Sequence, residues 1–146
     1  MTKQDIDTSY LETLLGYNAR RAALTIINHF MEQMTAFDLR PADFSVLSLI
    51  RHNPGITSSQ LCSALNILKP NLAVFLKNFE TRKLVKRKPH PTDGRAMGLT
   101  LTSAGEKLMA KAESIAIASD LTVSSELNAR ERETLRRLLK KIYSQD

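Results

Sequence analysis

Between Val85 and Leu101 the spacing of apolar side chains switches, once in the chain, from helical to alternating. Val85 to Lys88 is a short extended run, Pro89-His-Pro-Thr-Asp-Gly94 is dense in chain breakers, and Met97, Leu99 and Leu101 alternate with Ala96, Gly98 and Thr100. Period-two alternation beside a breaker-rich six-residue tip describes a β-hairpin. Elsewhere the apolar residues repeat with the helical period. The expected fold is therefore mainly α with a small β-hairpin wing.

Residues 10–35 place Leu11, Leu14, Leu15, Ala22, Ile26, Phe30 and Met34 close to one stripe, which predicts an opening helix of more than about 20 residues. Pro41 suits a first helical turn, and Phe44, Val46, Leu47, Leu49 and Ile50 make a short second helix that stops before Asn53-Pro54-Gly55. Thr57-Ser-Ser-Gln60 reads as a capping box, the hydroxyl serving one unbonded helix N–H and Gln60 reaching back to another. It opens a third helix, about 57 to 65. After Asn66-Ile67-Leu68-Lys69, Pro70 starts a fourth helix that runs to about Leu84, with Leu72, Leu76 and Phe79 on its buried face. Lys69 is a poor N-cap, which leaves the first amides of this helix to a phosphate or to water. Thr102 or Ser103 caps a fifth helix with Leu108, Ala112 and Ile115 on one face. Asn128 with Glu131 caps a last one bearing Leu135, Leu138, Leu139 and Ile142.

At 146 residues, 42% hydrophobic and 25% charged, the chain suffices for one ordinary core and does not fit a disordered class. A single cysteine excludes an intramolecular disulfide framework. No apolar stretch follows a basic start, and no run approaches about 18 apolar residues, so a soluble cytoplasmic protein with no membrane partner is expected.

The net charge of +6 is concentrated. Residues 66–95 hold eight of the 21 basic residues (Lys69, Lys77, Arg82, Lys83, Lys86, Arg87, Lys88, Arg95) and two of the 15 acidic ones (Glu80, Asp93), which leaves thirteen of each elsewhere. Such clustering suits phosphate neutralisation and counterion release. Two short helices joined by a tight turn, followed at once by a basic hairpin, give a winged helix-turn-helix pattern. Its second helix enters the roughly 12 Å wide major groove. With Leu72, Leu76 and Phe79 inward, Lys69, Asn71, Val74, Lys77, Asn78 and Thr81 fall outward. Asn71 suits adenine, Lys69 or Lys77 guanine or phosphate, and Val74 a thymine methyl. Ser58, Ser59 and Gln60 are placed for backbone contacts that set register, and Lys86 and Lys88 add cations along the hairpin. Plain surface polarity is the alternative for each.

The stretch Leu39-Arg-Pro-Ala-Asp-Phe-Ser-Val-Leu47, then Leu61 to Leu65, Phe79-Glu80, Leu84-Val85, and above all Thr92-Asp93-Gly-Arg95 with Leu99-Thr-Leu-Thr-Ser-Ala-Gly105, resembles the MarR family of dimeric repressors over nearly the whole chain. The Asp-x-Arg wing followed by Leu-Thr-x-x-Gly is its most specific part. The resemblance implies that Arg95 inserts into the minor groove and that Asp93 holds the wing in place; the negative potential of a narrow minor groove favours a guanidinium. It also implies dimerisation through the first helix and the last two. The apolar faces of residues 11–34 and 108–142 exceed what a compact DNA-reading module needs, and two copies would make a self-complementary C2 interface. Pro70 and Val74 stand where many members carry an alcohol or arginine, so the operator cannot be copied from a relative.

His29, His52 and His90 have no ligand spacing, and there is no His-Glu-x-x-His, Cys-x-x-Cys, Gly-x-Gly-x-x-Gly or phosphate loop. No enzyme activity, metal or cofactor is expected. Cys62, between Leu61 and Leu65, reads as a small buried hydrophobe rather than a redox sensor. The resemblance instead implies an effector, a phenolic or aromatic carboxylate or its coenzyme A thioester, bound between the dimer helices and the DNA-reading lobe. Tyr17, Arg20, Arg21, His29, Arg40 and Phe44 are the candidates, because a cation near aromatic and apolar walls suits an aromatic acid. Ordinary core for Phe44, and exposed or intersubunit ion pairs for Arg20 and Arg21, are the competing readings.

The expected organisation is a single domain over 1–146, with a DNA-binding winged-helix lobe at about 41–102 and a dimerisation region at about 8–36 together with 103–144. Its partners would be double-stranded DNA, a second copy and the effector. The function expected is that of a homodimeric sequence-specific regulator, a repressor released from a pseudo-palindromic operator. A non-specific architectural DNA-binding protein and a winged-helix protein-interaction module are the alternatives.

Overall fold

The computed structural model describes residues 5–90, 92, 94 and 96–144. Its elements are α1 (Leu15–Met34), α2 (Pro41–His52), β1 (Ile56–Thr57), α3 (Ser58–Leu65), α4 (Lys69–Thr81), β2 (Val85–Pro89), β3 (Met97–Leu101), α5 (Ser103–Val123) and α6 (Ala129–Tyr143), with 3-10 turns at Leu11–Thr13 and Thr35–Phe37. The fold is mainly α with a small antiparallel sheet, as the single change of period requires. The chain forms two compact units. One draws on the chain up to His29 and from Ile117 onward; the other is Phe30–Ala116.

The second unit holds the apolar core. Val46, Leu47 and Ile50 of α2, Leu61 of α3, Leu72, Leu76 and Phe79 of α4, Leu99 of β3 and Met109 and Ala112 of α5 are all buried. Each large side chain of this kind contributes about 1.5–3 kcal/mol on burial. Phe30 meets Phe44 edge-on, ring centroids 5.1 Å apart, and both partly buried rings pack against this core. Cys62 is partly buried against the same core.

Local signals fixed most helix starts. Thr57 Oγ1 accepts from the Gln60 N–H at 3.2 Å while Gln60 Oε1 accepts from the Thr57 N–H at 2.9 Å. Asn128 and Glu131 repeat the reciprocal pair at the start of α6. Thr102 caps α5, its Oγ1 accepting from the Gly105 N–H and donating to the Lys83 carbonyl.

Three boundaries and one strand pairing differ from the sequence expectation. The opening helix is shorter, because Leu11–Thr13 is a 3-10 turn and Leu14 is extended, with ψ 130°. The fourth helix ends at Thr81 rather than Leu84: Lys83 adopts φ 57° and the Leu84 N–H returns to the Phe79 carbonyl at 2.8 Å. Pro89 is part of β2 and pairs with Met97, which moves the start of the wing tip to His90. The hairpin also gains a third strand, since β1 pairs with β3 to give the order β1-β3-β2. At that junction the Gly55 N–H donates to the Leu99 carbonyl, and a Cβ on Gly98 would lie 2.9 Å from the Gly55 oxygen.

In the first unit, helical segments leave apolar residues uncovered in the single chain. Leu15 and Ile117 are 81% and 65% exposed, and Leu135, Leu138, Leu139 and Ile142 of α6 all face solvent.

Candidate nucleic-acid interface

The turn between α3 and α4 is three residues, Asn66–Leu68. Asn66 takes the left-handed conformation (φ 51°), which asparagine tolerates better than most residues, and its N–H closes back onto the Cys62 carbonyl. The chain then re-enters a helix at Lys69 with Leu68 as N-cap and no side-chain cap. Lys69 is therefore the first helical residue rather than the cap. Pro70 has no N–H, and the Asn71 N–H already bonds the Leu68 carbonyl at 3.0 Å, so the helix start offers fewer amides to an anion than the sequence suggested.

Along α4, Lys69, Pro70, Asn71, Val74, Lys77, Asn78 and Thr81 are all exposed, opposite buried Leu72, Leu76 and Phe79. The predicted outward face is the observed one. Ser59 and Gln60 are exposed at the start of α3 and Ser58 is half-buried; the Gln60 oxygen is occupied by its cap. Lys86 and Lys88 alternate with Arg87 along β2 and are exposed. Asp93 and Arg95 lie outside the described residues.

The basic window divides by what each cation does. Arg82 donates to the Asp38 and Phe37 carbonyls at 3.0 and 2.9 Å, closing the end of the 3-10 turn before α2, where Asp38 has φ 51°. Arg87 pairs with Glu80 of α4. Lys69, Lys77, Lys83, Lys86 and Lys88 are exposed and form no ion pair among the described residues. Sequence alone gave no means of separating the two arginines from these lysines.

In the same unit α2 and α5 are tied by a polar cluster that sequence reasoning missed. Glu113 accepts from Ser48 Oγ at 2.9 Å and from Arg51, and contacts His52 Nε2 at 3.0 Å; Arg51 Nε also donates to Glu106 at 3.0 Å. Partial burial acts to raise the Glu113 pKa, but hydrogen bonds from Ser48, His52 and Arg51, with the Arg51 charge, hold it below the usual carboxylate range. The Arg51 guanidinium is pushed higher still, chiefly by its bond to Glu106. The partners lie 55 to 65 residues apart, so no local pattern signals them.

Of the effector candidates in the first unit, Tyr17 and Arg21 are partners: the guanidinium stands 5.9 Å from the ring centroid and donates to the phenol oxygen at 3.4 Å. Arg20 is exposed. His29 Nδ1 lies 2.6 Å from Oγ of Ser119, a buried serine that carried no sequence signal. Arg21 also borders an open apolar groove of about 570 Å³ lined by Ile26, Val123, Leu127, Leu135 and Leu139. In the second unit, Arg40 precedes α2 with its guanidinium 3.5 Å from the Asp43 carboxylate, and Phe44 packs on Phe30. Among the described residues no cluster of three or more His, Cys, Asp or Glu could hold a metal. No described helix is long and apolar enough to cross a membrane.

A tight helix pair, an exposed second helix and a basic two-stranded wing braced by a third strand define a winged-helix DNA-binding protein. The MarR family model matches residues 37–96. The chain is 30% identical over 133 residues to a proposed regulatory protein for the hcr operon of Thauera aromatica, covering 90% of this chain and 80% of that one. The repressor CouR, solved bound to a 23-mer DNA duplex, superposes with a TM-score of 0.86 at 32% identity, covering 95% of this chain and 99% of CouR. CouR bound to p-coumaroyl-CoA gives 0.80 at 30% identity, with 97% and 100% covered. The Rv2887 protein of Mycobacterium tuberculosis in complex with salicylic acid gives 0.70 at 25% identity, with 88% and 96% covered. The chain belongs to the MarR family and is a transcriptional regulator, not an enzyme.

Proposed function

We propose that this regulator acts in the cytoplasm as a homodimeric, sequence-specific repressor of a pseudo-palindromic operator, released by a small aromatic acid or its coenzyme A thioester. The observation that carries the DNA reading is the division of the basic window: Arg82 and Arg87 are used internally, while five lysines, two on α4 and three just before or along β2, are exposed without acidic partners among the described residues. Asn71, Val74 and Lys77, with Lys69 and Pro70, read the major groove, while Ser58, Ser59, Gln60, Lys86 and Lys88 set register on phosphates. Asp93 and Arg95 complete the wing at the minor groove. The uncovered apolar residues of α1, α5 and α6 support a C2 dimer, with half-site centres about 34 Å apart.

The effector reading rests on the likeness to CouR with p-coumaroyl-CoA and to Rv2887 with salicylic acid. Tyr17, Arg20, Arg21, His29, Arg40 and Phe44 remain the proposed contacts. Such a ligand acts only through unequal affinity for the DNA-competent dimer and its alternative.

Selection from a randomised 30-base-pair duplex pool at near-physiological salt tests the proposal. A symmetric motif is expected, preferred over scrambled DNA by more than roughly 10³-fold. Binding without a motif would favour an architectural role, and absence of binding would favour a protein-interaction module. Adding aromatic acids and their thioesters to the selected complex should release the DNA for at least one of them; none doing so would remove the effector proposal.

A further inference from the structure

Over its first two turns, the line along α4 farthest from its buried face is apolar; exposed Thr81 ends that line with a hydroxyl. Leu72, Leu76 and Phe79 are at most 2% exposed, and at 3.6 residues per turn Val74 lies diametrically opposite them, itself 72% exposed. Exposed Pro70 precedes it by one turn on the same line. Polar groups stand to either side: Lys77 on one flank, Asn71 and Asn78 on the other. None of them covers the valine.

An apolar pair flanked by a lysine on one side and asparagine amides on the other fits one partner with both a polyanionic rim and an apolar interior feature. The major groove is such a surface, and its apolar feature is the thymine 5-methyl group. We propose that Pro70 and Val74 specify the operator by contact with thymine methyls, so that each half-site carries thymines at two positions about two base pairs apart. The spacing follows from geometry: four helical residues advance about 6 Å, against about 3.4 Å per base step. This rests on α4 being the recognition helix. The contact recognises a methyl rather than a hydrogen-bonding edge, so it separates thymine from uracil, which pairs identically.

The selected operator is remade with each thymine replaced singly by deoxyuridine, and its affinity measured at fixed salt for the wild-type protein, Val74→Ala and Pro70→Ala. Loss of one methyl contact is expected to weaken wild-type binding about fourfold at one or two positions per half-site, the equivalent of about 0.8 kcal/mol. The penalty should vanish at one position in each variant, with thermal unfolding confirming that both variants fold. Equal affinity for every deoxyuridine duplex by a tightly binding wild-type protein overturns the inference. So does a penalty undiminished in both variants, which would assign the methyl effect to DNA shape. Failure of the folded wild-type protein to select any sequence would instead overturn the reading of α4 on which the inference stands.

Discussion

The backbone at Gly105 passes so close to Leu84 that a Cβ on the glycine would lie 2.2 Å from the Leu84 carbonyl oxygen. That same oxygen accepts the Thr102 N–H at 2.9 Å, and Thr102 Oγ1 donates to the neighbouring Lys83 carbonyl at 2.6 Å. The Leu-Thr-x-x-Gly stretch is thus a clasp joining the first turn of α5 to the entrance of the wing.

Gly105→Ala should therefore destabilise the fold by about 1–3 kcal/mol, since both crowded atoms are backbone and neither can rotate away. For a chain of this size that lowers Tm by roughly 3–10 °C, measurable by thermal unfolding. An unchanged Tm would show that the wing entrance yields without cost.

Glu113→Gln should cost about 1–2 kcal/mol at pH 7, because it keeps the shape but removes the charge facing Arg51. The sign with pH follows from the direction of the shift. A carboxyl held below 4.5 in the folded state contributes stability that is fully present above that value and disappears as pH falls through the folded pKa. Denaturant unfolding of both proteins across acid pH should show the gap closing; a gap independent of pH would contradict the assignment.

Arg82→Ala and Lys86→Ala remove the same charge from the same window with different results. Arg82 holds two carbonyls, so its loss should destabilise by about 1–2 kcal/mol and leave the salt dependence of DNA binding unaltered. Lys86 is exposed without an ion pair, so its loss should leave stability within about 0.5 kcal/mol and flatten the slope of log K against log salt by roughly one unit. Equal salt slopes for the two variants would remove the distinction between bracing and phosphate-facing cations.

Asn71→Ala should alter which base is preferred at one position of each half-site, at a discrimination loss of about 1–3 kcal/mol. Arg95→Ala should instead weaken binding to every sequence while the protein stays folded. Repeating the selection with each variant separates the two, and an Asn71 variant that recovers the wild-type motif would remove Asn71 from base reading.

What the sequence made legible was local chemistry. The Thr57–Gln60 and Asn128–Glu131 caps lie within four residues, and the face of α4 follows from Leu72, Leu76 and Phe79 alone. Most of the misses were settled at a distance, and one by a local backbone conformation. β1 is two residues with no pattern of its own and exists because Leu99 and Gly98 lie alongside it. The end of α4 depends on Lys83 accepting a left-handed conformation that lysine does not advertise. The roles of Arg51 and Arg82 depend on carboxylates and carbonyls more than 40 residues away.

The short pairing of β1 with β3, sealed where Gly98 crosses Gly55, joins the wing to the very turn that launches α3. Strand and helix pair thereby behave as one stamp. A stamp of this build cannot weaken its impression by hinging the wing away from the recognition helix without tearing the seam at Gly55. In the proposed dimer the quantity left to adjust is the gap between two such stamps, which a bound duplex would gauge against its own helical pitch.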